Sequence, residues 1–278
     1  MKFGFVTCVQ LGKSCMEAIY EVGGHLDLVI TLNDSQAVNK SGRVYLDEFC
    51  SANNIKLLKS SHINNDECID AIKNHDLDWL FIIGWSQIAN KNLLSTPNKG
   101  VLGIHPTLLP KGRGRASIPW AIIKNLDETG VTLFKLDEGV DTGDIVDQLV
   151  IPLNNDTTAT DLYQLVDDAH ITLIKDVFGK LENDSVMLKK QDHSLATEWL
   201  GRGPADGEID LKGSVLDADR LIRAVTKPYP GAFYMENNKK HIVWSATILK
   251  STNSSLGKII EFADGKLGLN EYEIIDIQ

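Results

Sequence analysis

Residues 79–105, WLFIIGWSQIANKNLLSTPNKGVLGIH, pass from one apolar run through a polar middle to a second apolar run that ends in histidine. The runs 79–84 and 100–104 are short, nearly unbroken in hydrophobicity and bounded by Gly, Asn and Pro, the pattern of strands buried on both faces of a sheet. Segment 91–94 fits a helix between them. Strand, helix and strand in that order require parallel pairing with a crossover on the sheet face. The same rhythm extends upstream, with strands expected at 2–9, 26–31 and 56–58 and helices at 14–21, 44–53 and 66–74, and downstream with a helix at 117–124. In such sheets ligands bind beyond the carboxyl ends of the strands, and His105 is expected to stand at one of these ends.

From residue 130 to 153 the pattern turns to two strands, GVTLFKL and DIVDQLVIPL, joined by the turn-rich DEGVDTGD, so Asp141 is expected in a loop of the same sheet. NNDTTATDLYQLV then opens with capping residues and continues with Leu162, Leu165, Val166, Ala169, Leu173, Ile174 and Val177, a helical apolar stripe. The Gly- and charge-rich 189–210 segment reads as a connection. Beyond it a short helix and several strands separated by turns predict a small β-rich domain. The expected division is 1–190 for the main domain and 191–278 for the linker and the smaller one.

Composition narrows the function. The 278 residues carry 43% hydrophobic and 24% charged residues and a net charge of −10, ordinary for a soluble globular protein. They disfavour one that coats nucleic acid, which needs clustered Lys and Arg. No apolar run approaches the 18 residues of a membrane span, and MKFGFVTCVQLGKSC reads as a first strand rather than a cleaved leader, so a cytoplasmic protein with no membrane partner is expected. Cys8, Cys15, Cys50 and Cys68 lack C-x-x-C spacing and are expected as buried thiols. LGKS at 11–14 has Thr7 where a phosphate loop needs glycine, and GRGRAS at 112–117 falls short of a dinucleotide fingerprint. The seven histidines show no metal-binding spacing, so no metal is expected.

His105 and Asp141, on two loops at one sheet edge, form the pair with chemical content. A carboxylate beside an imidazole fixes its tautomer and stabilises the imidazolium, which suits acid–base work and oxyanion stabilisation in acyl transfer; the same pair also serves as a structural contact. Around both residues, GIHPTLLPKGRGRASIPWAI and ETGVTLFKLDEGVDTGDI resemble the signature of formyltransferases that use N10-formyltetrahydrofolate. DTTATDLY at 156–163 and KPYPGAF at 227–233 resemble the methionyl-tRNA and sugar N-formyltransferase group within it. The resemblance implies an α/β, Rossmann-like catalytic domain with a mostly parallel sheet and a small β-rich, OB-like C-terminal domain. It also implies that His105 and Asp141 are catalytic.

One position departs. The family's asparagine two residues before the histidine is here Gly103. Two readings stay open: an active enzyme in which a backbone N–H, a water or a side chain such as Ser86, Gln87 or Asn90 replaces the amide, or an inactive relative that binds folate or a sugar nucleotide. The resemblance places the pterin of the co-substrate between the loop with Ile83, Gly84, Trp85, Ser86, Gln87 and Ile88 and the loop with Leu136, Asp137, Glu138, Gly139 and Asp141. It places the acceptor near Lys111, Arg113 and Arg115, with Ser41 and Arg43 flanking it. VTCVQLG, the SGR segment, GWSQ and GRGRA look more like the sugar enzymes, so the expected substrate is a nucleotide-linked amino deoxysugar for a surface polysaccharide, with methionyl-tRNA the rival acceptor. A homodimer is expected by the same analogy.

Overall fold

The computed structural model describes residues 1–36, 42–249 and 258–276. In chain order the elements are β1 (Phe3–Val6), α1 (Gln10–Glu21), β2 (Leu28–Leu32), α2 (Asp47–Ala52), β3 (Lys56–Ser60), α3 (Asp66–Asn74), β4 (Trp79–Ile82), α4 (Lys91–Leu94) and β5 (Gly100–His105). They continue with β6 (Arg113–Gly114), α5 (Ser117–Ile123), β7 (Glu128–Lys135), β8 (Ile145–Pro152), α6 (Ala159–Glu182), β9 (Glu198–Trp199), α7 (Val215–Ala224), β10 (Ala232–Glu236), β11 (Lys239–Ile248), β12 (Ile259–Phe262) and β13 (Gly265–Asp276). Two compact units share this chain. The first takes Met1–Arg113, Gly130–Val150 and Asp167–Thr197, and the second takes Gly114–Thr129, Ile151–Val166 and Glu198–Gln278.

The first unit is built on the seven-stranded sheet β3-β2-β1-β4-β5-β7-β8. Strands β1 to β5 run parallel, and β7 joins β5 antiparallel, with His105 opposite Thr132. Strand order reverses at β1, between β2 and β4, which opens the crevice where α/β sheets take ligands. Alternation along β1 divides its side chains between two layers. Val6 points to the face where Leu80 and Val101 meet Ile69, Ile72 and Leu93 of α3 and α4. Phe3 and Phe5 point to the other face against Phe81, with Phe178 of α6 4.7 Å from Phe3. Both faces are therefore covered, which is why these strands read as continuous apolar runs.

Helix α6 buries Leu162, Val166, Ala169, Leu173, Ile174 and Val177, six of the seven residues in the expected stripe; Leu165 is 42% exposed. The second unit contains the antiparallel sheet β10-β11-β13-β12, over which α7 packs against β11 and β13. Ser214 caps α7, its hydroxyl accepting from the Asp217 N–H at 3.1 Å. No helix among the described residues is long and apolar enough to cross a membrane.

All four cysteines are buried and free. Burial pushes the thiols of Cys15 and Cys68 up, and that of Cys50 to about 11. The thiolate is the reactive form, so at pH 8 a thiol-specific disulfide reagent is expected to leave the native protein nearly unlabelled and to titrate four groups after denaturation. Fast native labelling of any one cysteine would contradict this packing.

Candidate active site

His105 is the last residue of β5, and the chain folds back directly after it. Leu109 N–H donates to Thr132 Oγ1 at 3.1 Å, and Thr132 donates to the Thr107 carbonyl at 2.6 Å. This ties the histidine's loop to β7. His105 is buried, its side chain 10% exposed. Its Nε2 lies 2.8 Å from the Gly112 carbonyl; a carbonyl only accepts, so the proton is on Nε2. Nδ1 faces Asp141 Oδ2 at 3.6 Å, with both side chains largely buried. The two loops therefore bring histidine and carboxylate together.

Asp141 stands in the left-handed region with φ of 54°, a conformation that Asp tolerates better than most residues. Two residues on, Gly143 passes so close to β7 that a Cβ there would lie 1.7 Å from the Lys135 carbonyl oxygen. At the start of the loop, Asp137 Oδ1 accepts from Gly139 N–H at 3.0 Å and from Thr142 Oγ1 at 2.6 Å. The exposed Glu138 pairs with Lys91 at 2.8 Å.

Gly103 is held between Ile82 of β4 and Phe134 of β7. A Cβ there would lie 2.8 Å from Leu136 Cδ2 and 3.3 Å from its Cγ. The space that a longer side chain would need next to His105 is thus filled by Leu136. This leucine and Trp85 pack against the same apolar cluster beneath the sheet end, so the loops after β4 and β7 meet through it.

Within the β4 loop the side chains divide. Ile83 is only 2% exposed and belongs to the core rather than to an open wall. Gly84 turns the chain with φ of 67°, where a Cβ would strike Val9. Gln87 donates to the Ser61 carbonyl and accepts from the Ile63 N–H, both at 2.9 Å, and Asn90 caps α4 by accepting from the Leu93 N–H at 3.0 Å. Both amides therefore hold the scaffold; Ser86, the third side chain considered as a substitute for the missing asparagine, is exposed. Ile88 is 84% exposed.

The family model described as formyl transferase matches residues 15–177, and that of the formyl transferase C-terminal domain matches residues 203–270. The chain belongs to the formyl transferase family. A methionyl-tRNA formyltransferase from Agathobacter rectalis is 28% identical over 255 residues, covering 91% of this chain and 82% of that protein. An N-formyltransferase from Helicobacter canadensis, solved with folinic acid and dTDP-3-aminofucose, is 21% identical with a TM-score of 0.69, covering 99% of this chain and 98% of that one. The methionyl-tRNA formyltransferase from Clostridium thermocellum is 19% identical with a TM-score of 0.66, covering 99% of each chain. At these identities the structural likeness establishes the fold, which enzymes for both acceptors share.

In this formyltransferase the basic residues expected around the acceptor have separate fates. Arg113 is 6% exposed, and its Nη2 donates to Gln191 Oε1 at 2.5 Å and approaches His193 Nδ1 at 3.0 Å; the guanidinium braces the interior instead of facing a phosphate. Arg43 is likewise buried, donating to Thr31 Oγ1 at 2.8 Å and to the Leu32 carbonyl at 3.0 Å, which locks the end of β2. Ser41 lies outside the described residues. Lys111 and Arg115 are exposed.

Within the second unit Arg115 opens on a cavity of about 610 Å³ whose walls include Pro119, Arg202, Tyr229 and Pro230. Arg202 lies over the Trp120 ring at 4.8 Å and donates to the Asp206 carbonyl at 2.6 Å. The Tyr229 hydroxyl is 2.9 Å from that of Tyr163. Arg202 and Tyr229 were not among the residues expected from sequence. GRGPADG reads as a linker, and only its similarity in composition to GRGRA could have marked Arg202.

Proposed function

We propose that this enzyme transfers the formyl group of N10-formyltetrahydrofolate to an amine on a nucleotide-linked amino deoxysugar. The observation that carries the sugar reading is the pair of guanidinium groups, Arg115 and Arg202, on one cavity of the second unit. Paired N–H donors suit a diphosphate, and about 610 Å³ suits a ligand of nucleotide size. Charge supports it. Residues 198–278 contain ten Lys and Arg against twelve Asp and Glu, a net charge of −2 by subtraction, where binding of tRNA calls for a basic surface.

The His105 geometry supports the following chemistry. The neutral acceptor amine attacks the formyl carbon, forming the new C–N bond and a tetrahedral oxyanion. The bond from that carbon to N10 then breaks, N10 takes a proton, and the amine loses one. Because Nε2 is committed to Gly112, the exchanging nitrogen is Nδ1, on the edge that faces Asp141. Asp141 stabilises the imidazolium that holds the oxyanion and relays the amine proton. Trp85 and Leu136 supply apolar surface for the pterin.

Incubation with N10-formyltetrahydrofolate and a panel of dTDP- and UDP-linked 3-amino and 4-amino sugars is expected to release tetrahydrofolate with at least one of them, and not with initiator methionyl-tRNA. Formylation of the tRNA alone would replace the acceptor assignment, and release with neither would leave a folate-binding relative without transfer activity.

A further inference from the structure

We infer that Gln191 is a positioning residue for formyl transfer, holding the carboxylate of Asp141 against His105 through the backbone of the Asp141 loop. Gln191 lies in KKQDH, a polar run between the two domain patterns, yet it is only 6% exposed. Its Nε2 donates to the carbonyl of Asp141 at 2.9 Å and to that of Gly143 at 2.7 Å. Its Oε1 accepts from Arg113 Nη2 at 2.5 Å. One amide thus grips the aspartate loop on both sides of Thr142 while leaning on a buried guanidinium.

The contacts close into a ring. Arg113 follows Gly112, whose carbonyl holds His105 Nε2, and Arg113 N–H and Gly112 N–H both bind Thr197, at 2.9 Å each. From Thr197 the chain is six residues from Gln191. One arm of the ring therefore sets Nε2 of the imidazole and the other sets the carboxylate that faces Nδ1. Asp141 is left-handed, a conformation less favourable for Asp than for glycine, and the two carbonyl contacts hold the loop on its C-terminal side. Only an amide fits here: a carboxylate lacks the two donors, and an ammonium lacks the acceptor that Arg113 meets.

The inference rests on reading His105 and Asp141 as the reacting pair, and a double-mutant cycle separates the two claims. Transfer from N10-formyltetrahydrofolate is measured with dTDP-3-aminofucose or, where that is not turned over, with the fastest acceptor of the panel. Gln191→Leu is expected to lower kcat on the order of tenfold with little change in KM for the formylfolate, because a misplaced acid–base group costs rate rather than binding. In the Asp141→Asn background the same substitution is expected to cost nothing further. Gln191→Glu keeps the size and the Arg113 contact but loses the donors; it should match the leucine variant, and it reads the same cycle should the leucine variant not fold. Losses that multiply in the double variant, or a rise in KM at constant kcat, would overturn the role of Gln191. Near-normal turnover of Asp141→Asn alone would instead remove the pair on which it rests.

Discussion

Replacing His105 by asparagine is expected to lower formyl transfer by about 10³ while leaving formylfolate binding and folding intact. General acid–base groups contribute roughly 10²–10⁴, and in the proposed mechanism this one also stabilises the developing oxyanion. Asp141→Asn is expected to cost about 10². The argument is one of burial. Two charges near 4 Å interact by about 1 kcal/mol in bulk water but by about 4 kcal/mol at an effective dielectric near 20, and the side chains of His105 and Asp141 are 10% and 18% exposed. Asparagine at 141 keeps shape and hydrogen bonding yet cannot stabilise an imidazolium. Single-turnover release of tetrahydrofolate, alongside a titration of formylfolate binding, checks both variants. Turnover within tenfold of wild type in each would mean that the pair is a structural contact and that the chemistry lies elsewhere.

Much of the first sheet was legible because its strands are covered on both faces. Runs such as FGFV and WLFI have no polar side to confuse the reading, and β1 to β5 fall within the expected segments or within a few residues of them. The antiparallel direction of β7 was not legible, since a strand carries no sign of its orientation. Helix α2 begins at Asp47 rather than at 44, where two acidic residues meet the positive end of the helix. The site was legible only where a position forces a role. His105 ends a strand and Asp141 sits in a loop, and the fold brings them together. Charge gave no guide to burial: Arg113 and Arg115, two residues apart in GRGRA, became an interior brace and an exposed wall of a cavity. Gln191 was hidden for the same reason, as a buried amide in a polar run looks like any other linker residue.

Gly103→Asn, which restores the residue the family carries at this position, is expected to lower activity on the order of 10² rather than raise it. Pairing to Ile82 and Phe134 on either side denies β5 the freedom to move away, and Leu136 Cδ2 stands 2.8 Å from where the new Cβ must go. Either Leu136 turns out of the cluster it packs against, or the strand that carries His105 shifts; overpacking of this kind costs about 1–3 kcal/mol, and a shift of about 1 Å at a reacting group costs about 10² in rate. Leu136→Ala in the Gly103→Asn background frees the space and is expected to return most of the loss, because an amide then reaches the position where an oxyanion donor is worth about 10²–10³. Thermal melting alongside kcat separates the contributions: the single variant should lose both, and the double variant should regain kcat more fully than stability, since Leu136→Ala leaves its own cavity. A Gly103→Asn enzyme faster than wild type would show that Leu136 yields readily and that the glycine leaves an oxyanion position open. A double variant no better than the single would show that this site stabilises its oxyanion without any side chain at position 103, through His105 and backbone donors alone.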